Sequence, residues 1–454
     1  MKLRGVLRRL ALNAEDSRQV IHLAYPVVLG MTSFTLLSVV DTAMLGRLGP
    51  APLAAAGIAG VLFFAVVFSL AGIGIGVQTL TARRFGEHNH AECGTVANAG
   101  LMLALAFGIP ISLAAPWLGR FLSPILSGDA DVVALGGQYL HYRFLGSGFM
   151  LTNWVLRGFF AGIGETRHQM VASIVTTATN IFLDYGLIFG KLGFPKMGIR
   201  GAAIASTIAI GAGTLYLAGI ALSSRHRNRF ALLRRPFFVR RWLRPIVRLS
   251  LPVIAQRITA NGSWFIFFWV VSRIGTVELA ATNVIRSIYH LTIMIGVGLG
   301  TASAALVGQR LGAEDPHRAE RLGWEATKLA ALSMGAVGLL FFVIPGPILQ
   351  IYTSDPAVIA VGKTPLFLLG FVQAFAGIAL VLSQSLQGAG NTRFVMAAEL
   401  AICGTLYLPV VYVLGMHTRL GLIGAWTGEF IYWTVLAAIM SWKFARGGWK
   451  RIIV

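Results

Sequence analysis

The sequence predicts an all-α integral membrane protein: twelve transmembrane helices in two six-helix lobes, related by a pseudo-two-fold axis along the membrane normal. Three observations predict this fold. Of 454 residues, 56% are hydrophobic and only 12% are charged, a balance that excludes a set of soluble domains. Apolar stretches of about 20 residues, each long enough to cross a hydrocarbon core of roughly 30 Å, recur along the chain. The second half of the sequence also repeats the first.

The apolar runs between loop signals define twelve spans. Several exceed about 25 residues, and we expect these to be tilted or to extend into water. The predicted spans cover residues 20–45, 52–82, 92–119, 131–161, 168–190, 197–222, 246–272, 278–308, 318–344, 357–386, 393–415 and 420–444.

The repeat has an offset of 226 residues, which pairs Pro26 with Pro252 and places "GIGETR" (162–167) over "GAGNTR" (388–393). Six spans is an even number, so both copies share one orientation in the membrane. We therefore predict an N-terminal lobe over 1–222, a basic cytoplasmic linker over 223–245 and a C-terminal lobe over 246–454.

Basic residues concentrate in the loops on one side of the predicted spans, which places both termini in the cytoplasm of a cell inner membrane. The net charge of +21 then fits an anionic inner leaflet better than nucleic acid. Arg4, Arg8 and Arg9 should lie at the lipid headgroups, and we predict no removed signal peptide. Cys93 and Cys403 are too far apart in sequence to indicate a disulfide framework or a metal cluster.

Two acidic residues lie well inside predicted spans of the first lobe, where a charge is costly and marks a candidate functional site. Counted from the outer helix ends, Asp41 on the first span and Asp184 on the fifth lie at similar depth. Tyr139 on the fourth span lies at comparable depth, and Asn180 shares a helix face with Asp184. We predict that these four side chains meet in the outer half of the first lobe.

The second copy lacks this set, since Phe267, Leu406 and Val410 replace Asp41, Asn180 and Asp184 at the same offset. A scaffold requirement would appear in both copies. Two carboxylates in a poorly solvated cavity cannot both stay ionised cheaply, so one should hold a proton near neutral pH. A sodium ion held by the same oxygens is the alternative, and neutralisation by a structural Arg or Lys is the other, although no basic partner is obvious.

The segments "DTAMLGRLG", "GETR"/"GNTR" and "TNIFLDYGLIFG" resemble the multidrug and toxic compound extrusion (MATE) transporters over essentially the whole chain, and within them the DNA-damage-inducible F type. The resemblance implies export of bulky organic cations in exchange for protons or sodium, by rocking between outward-open and inward-open states. It assigns the coupling cation to Asp41, Asn180 and Asp184, with Tyr139 nearby and Asn153 lining the cavity.

Some relatives complete this site with a hydroxyl on the sixth helix, where this chain has Ala202 and Ala203, with Ser206 one turn on. That departure favours protons over sodium. Pro26 frees a backbone carbonyl, so the first helix can bend beside the cavity as Asp41 changes protonation. Its repeat mate Pro252 has no acid, and a plain packing kink is equally consistent.

Four further charges lie in the second lobe at matched depths. Arg257 and Glu399 fall in the cytoplasmic half, and Arg286 and Glu429 in the outer half. We predict two buried structural pairs, since charges inside membranes usually find partners.

The sequence thus predicts a monomeric multidrug antiporter for organic cations or amphiphiles, in contact with membrane lipids, with no cofactor beyond H⁺ or Na⁺. The main alternative is a flippase for lipids or lipid-linked cargo, which would use Arg257 and Arg286 in a basic cavity. An enzyme acting on lipid with Asp41 and Asp184 as metal ligands would need further ligands at matched depth, and His22, His141 and His290 are scattered.

Overall fold

The computed structural model describes residues 12–125, 128–233 and 240–454; the predictions for Arg4, Arg8 and Arg9 and for part of the linker lie outside these residues. The described chain is helical and contains no strand. The helices are α1 Ala14–Gly46, α2 Pro50–Gly86, α3 His90–Leu113, α4 Ala115–Leu122, α5 Ala130–Leu145, α6 Ser147–Gly162, α7 Arg167–Phe189, α8 Ile199–Leu222, α9 Ser224–Phe230, α10 Arg240–Ile274, α11 Thr276–Gly312, α12 Pro316–Val343, α13 Pro345–Gln350, α14 Pro356–Gly388, α15 Thr392–Met416 and α16 Gly421–Ala445.

Every predicted span corresponds to helix in the structure, and the all-α class is confirmed. Ten of the described helices are individually long and apolar enough to cross a membrane. The fourth span falls short because it divides into α5 and α6 at Gly146, where the Ser112 hydroxyl accepts from Gly148 N at 3.3 Å and donates to the Leu145 carbonyl at 3.0 Å. The seventh span is α10, a single helix of 35 residues with a polar middle stretch.

The predicted third span, 92–119, ends too late. In the structure α3 ends at Leu113, and the separate helix α4 begins at Ala115 with Pro116 in its first turn. Proline has no amide hydrogen to continue a helix and favours the first turn of a new one. The second copy has the equivalent short helix α13, which begins with Pro345 after α12.

The chain forms two compact units: Leu29–Ile254, and the residues up to Val28 together with Ala255–Val454. Both boundaries fall two residues after the repeated prolines Pro26 and Pro252. The start of α1 therefore belongs to the unit of the second copy, and the start of α10 to that of the first. The two lobes and the linker predicted from the sequence repeat, with bounds at 222 and 246, stay a prediction.

Glycines allow close packing of α2 against α6 inside the first unit. A Cβ atom on Gly158 would lie 2.1 Å from the carbonyl oxygen of Gly74, and one on Gly74 would lie 2.5 Å from that of Trp154. Small residues let the backbones of membrane helices approach this closely. The contact fixes α6, which continues directly from the helix that carries Tyr139.

Candidate functional site

The structure brings together the four side chains that the sequence placed at one depth. Asp41 comes from α1, Tyr139 from α5, and Asn180 and Asp184 lie one turn apart on α7, all within the unit Leu29–Ile254. Asn180 and Asp184 are fully buried, and Tyr139 is 9% exposed. Asp41 is only half-buried, so it is the carboxyl group nearest to the outside of the unit.

Asn180 contacts both acids of the cluster. With its amide oriented so that both ends are satisfied, the nitrogen donates to Asp41 Oδ1 at 2.8 Å and to Asp184 Oδ2 at 2.9 Å. The amide oxygen accepts from the backbone N–H of Ser206 on α8 at 3.0 Å. The hydrogen-bond pattern therefore makes Asn180 a donor to both acids.

The two carboxyl groups lie close together, because one oxygen of each is within hydrogen-bond distance of the same amide nitrogen. Two carboxylates at such a short separation repel each other when both are ionised. The pair is therefore suited to hold a cation between or beside its two charges.

Arg143 is a fifth member that sequence reasoning missed. It is 6% exposed and lies within electrostatic range of Asp41, Asp184 and Tyr139. The sequence analysis found no obvious basic partner at this depth, and that expectation is wrong. A signal was present, since Arg143 follows Tyr139 by four residues and so lies on the same face of α5.

Aromatic packing holds the Arg143 side chain in place. Its guanidinium carbon lies 4.4 Å from the centre of the Phe63 ring on α2, in cation–π geometry. Arg143 Nε and Asp184 Oδ1 are buried, and neither has a hydrogen-bond partner among the described residues. The site thus keeps one donor and one acceptor that its own side chains do not use.

The fit of a metal cation depends on the orientation of the Asn180 amide. Sodium and similar hard cations require several oxygen ligands pointing at one position. With the nitrogen assigned to the side of the carboxyl groups, the Asn180 oxygen faces the backbone of Ser206 and is not a ligand. Turned by 180°, the same amide places three oxygens together.

Asn153, predicted to line the cavity, belongs to a separate polar cluster. Its amide donates to Thr214 Oγ1 at 3.2 Å, and its oxygen accepts from Arg157 Nε at 2.7 Å. Arg157 in turn donates to Ser173 Oγ at 2.8 Å. Pro26 is buried inside α1 and belongs to the other compact unit from Asp41.

In the described residues, Arg286 and Glu429, predicted to pair with each other, have other partners. Glu429 accepts from Tyr407 Oη at 2.8 Å and from Trp433 Nε1 at 2.9 Å. Arg286 lies over the rings of Trp264 and Phe268 instead, with its guanidinium carbon 5.9 and 5.3 Å from their centres. Two residues at equal depth in the membrane need not face each other, because depth does not fix the rotation of a helix about its axis. Aromatic side chains are the partners of both Glu429 and Arg286.

The carboxyl group of Glu399 lies beside Ser383, and its pairing with Arg257 stays a prediction. The flippase alternative needs cationic side chains that are free to meet a ligand. Arg286 lies over two aromatic rings but is exposed, so its contacts do not exclude the flippase alternative.

Comparison with known proteins gives matches over nearly the whole chain. A family model described as MatE matches residues 26–186 and 252–413, one segment in each copy of the repeat. The probable multidrug resistance protein NorM of Thermotoga maritima is 28% identical over 448 residues, covering 96% of this chain and 94% of that protein. The multidrug resistance protein NorM of Burkholderia vietnamiensis is 29% identical, covering 97% and 96%.

A solved structure of a MOP superfamily transporter from Pyrococcus furiosus is similar throughout. It matches with a TM-score of 0.88 over 96% of this chain and 97% of that chain, at 23% sequence identity. At this identity the likeness concerns the fold, and it agrees with twelve helices in two lobes. The branch within the family stays a prediction.

Proposed function

The chain belongs to the MatE family, and from this premise we propose that it is a secondary multidrug exporter coupled to protons through Asp41, Asn180 and Asp184. Organic cations or amphiphiles leave the cell as protons enter, by alternating access of the two lobes. The exporter acts as a monomer in the cell inner membrane, with both termini in the cytoplasm, and changes no covalent bond. The observation that carries the proposal is the pair of carboxyl groups, Asp41 and Asp184, held by one amide nitrogen of Asn180.

The charge balance of the site sets the number of coupling ions at one. With both acids ionised, Asp41, Asp184 and Arg143 sum to a charge of −1. A buried net charge is costly, and a single monovalent cation removes it. Without Arg143 the same pair of acids would need two. We therefore propose that one proton crosses with each cycle of the site.

The unequal burial of the two acids gives the proton a path. Asp41 is half-buried and exchanges protons with water, whereas Asp184 is fully buried behind it. Asn180 donates to both carboxyl groups and so stabilises whichever of them is ionised. Proton release leaves the site with a net negative charge, which favours entry of a cationic substrate. Exclusion of one cation by the other is the thermodynamic basis of antiport.

Transport by everted vesicles tests the proposal. Vesicles from cells that lack other exporters of this class carry the wild type, Asp41→Asn, Asp184→Asn or the control Asp131→Asn. Asp131 is an exposed acid at the start of α5, outside the cluster. A proton gradient is established, and its dissipation on addition of a fluorescent lipophilic cation is recorded with and without sodium.

We expect the wild type and Asp131→Asn to dissipate the gradient without sodium, and both site variants to fail. Equal activity of all four proteins would show that the carboxyl pair is structural. Activity that appears only with sodium would leave the site in place and replace the coupling ion. Movement of a fluorescent lipid across the membrane by the wild type, with no effect of the dye, would favour the flippase alternative.

A further inference from the structure

A second polar cluster lies at the end of the first unit where α6 ends, α7 begins and α8 ends. Glu165 lies in the turn between α6 and α7, His168 in the first turn of α7, and His226 on the short helix α9. Glu165 Oε2 lies 2.7 Å from His226 Nε2 and 3.5 Å from His168 Nε2. The three ligand atoms all lie within 4.8 Å of one another.

The backbone of the "GIGETR" motif presents Glu165 to this cluster. Gly164 has a φ of +82°, a left-handed conformation that suits glycine. The Glu165 N–H donates to the Phe160 carbonyl at 2.8 Å, and the Gly164 N–H to that of Ala161 at 3.0 Å. These two bonds close the end of α6 as a Schellman turn. The chain therefore reverses at a fixed angle, with the carboxylate beside both rings.

Each imidazole is oriented by a hydroxyl group on its far side. His168 Nδ1 lies 3.3 Å from Tyr216 Oη, and His226 Nδ1 lies 3.1 Å from Ser223 Oγ. His226 Nε2 lies at hydrogen-bond distance from Glu165 Oε2 and donates to it, so a bound ion would take the place of that proton. The Nε2 atoms of both rings face the same carboxylate oxygen.

The turn itself occurs in both copies of the repeat, but the ligands occur in one. Gly390 repeats Gly164 with a φ of +92°, and Asn391 N donates to the Leu386 carbonyl at 2.8 Å as Glu165 N does to that of Phe160. At the offset of 226, the three ligand positions become Asn391, Phe394 and Ile452. The fold thus needs the turn, and only the first copy adds the two histidines and the carboxylate.

We propose that Glu165, His168 and His226 bind a divalent transition-metal cation of the Zn²⁺ class. Two imidazoles and one carboxylate form a common zinc ligand set, leaving a fourth position for water. For metal–ligand bonds of about 2.0–2.2 Å, the ligand atoms of a tetrahedral site lie roughly 3.3–3.5 Å apart. Glu165 Oε2 lies 3.5 Å from His168 Nε2, within this range, and 2.7 Å from His226 Nε2, which is shorter.

The site is accessible and has a firm base. Glu165 and His168 side chains are each 27% exposed, so an ion can reach them from the surface, whereas the His226 side chain is 6% exposed. The Phe160 ring packs at 5.2 Å from His168 and 5.8 Å from His226, between centroids. A bound ion would tie α9, the first element after the last span of this copy, to the start of α7.

Metal binding to the purified full-length protein tests this inference. The affinity tag is removed, the protein is stripped with EDTA, and Zn²⁺ is titrated calorimetrically. Co²⁺ serves as an optical probe, because its visible absorption reports tetrahedral coordination. The variants are Glu165→Gln, His168→Asn and His226→Asn, and the control is His88→Asn, an exposed histidine outside the cluster.

We expect one Zn²⁺ per chain for the wild type and for His88→Asn. Loss of an outer-shell partner of a metal ligand lowers metal affinity by roughly 10- to 100-fold. We expect each ligand variant to lose at least this much affinity for Zn²⁺. Zn²⁺ should also raise the melting temperature of the wild type but not that of Glu165→Gln. If His226→Asn fails to fold because this ring is buried, the two half-exposed positions still provide the test.

No Zn²⁺ uptake by the wild type, or uptake that all three ligand variants retain, would overturn the inference. The cluster would then be a hydrogen-bonded clamp between α7 and α9. The measurement is independent of transport, so failure of the exporter proposal would leave its outcome unaffected.

Discussion

Removal of the positive charge of Arg143 should destabilise the first unit through the acids it faces. Arg143 is 6% exposed and Asp184 is fully buried. Loss of one partner from a buried charge pair costs about 3–5 kcal/mol, because the other charge is left uncompensated. We therefore expect Arg143→Gln to lose about 3–5 kcal/mol of unfolding free energy at pH 8.

The same substitution should cost much less when Asp184 is already neutral. In Asp184→Asn only the half-buried Asp41 still faces Arg143, and the main remaining loss is the stacking on Phe63, worth about 0.5–2 kcal/mol. The double-mutant cycle should give a coupling free energy of about 2–3 kcal/mol. For a unit of about 200 residues, 1 kcal/mol shifts the melting temperature by about 2–4 °C, so we expect a difference of about 4–12 °C.

Thermal unfolding of the detergent-purified proteins, followed by size-exclusion chromatography, measures this difference. Arg143→Lys keeps the charge and is the matched control. The destabilisation of Arg143→Gln relative to the wild type should also grow as pH rises. By the charge balance, its folded state holds two protons at the site and that of the wild type holds one, whereas neither unfolded state holds any in this range. If Arg143→Gln costs the same in both backgrounds, Arg143 acts through packing on Phe63 alone, and the charge balance behind one proton per cycle is wrong.

Three further outcomes follow from contacts in the two units. Asn180→Leu removes the donor shared by the two acids and should cost about 1–3 kcal/mol of unfolding free energy for each buried acceptor left unpaired. Coupled dye export should fall at least tenfold, and retained coupling would show that donation by Asn180 to both acids is not needed. Gly158→Ala places a methyl group 2.1 Å from the Gly74 carbonyl oxygen and should cost about 1–3 kcal/mol, whereas Gly219→Ala, with no atom within 4 Å, should be neutral in the same melting assay. Glu429→Gln keeps one oxygen, which accepts from Trp433, and its amide nitrogen donates to Tyr407 Oη in place of accepting from it. We expect a loss of about 1 kcal/mol and an unchanged ratio of protons to dye in vesicles; an altered ratio would place Glu429 in the coupling path.

The cluster of Asp41, Asn180 and Asp184 could be predicted in outline because depth along a helix is a local quantity. Counting residues from the helix ends placed Asp41, Tyr139, Asn180 and Asp184 at one level, and the structure brings them together. The rotation of each helix about its own axis is not a local quantity, since it depends on packing against neighbouring helices. That is why the same depth argument failed for Arg286 and Glu429, whose helices turn these side chains toward aromatic rings.

The sequence by itself determined the membrane class, the twelve spans and the duplication, because hydrophobic length and internal repetition are readable without contacts. It also determined that the acids belong to one copy. Only the tertiary structure decided the partners: Arg143 beside the acids, the donor orientation of Asn180, and the meeting of Glu165 with His226 on another segment. These depend on how several helices pack at once, and no spacing within one helix encodes that.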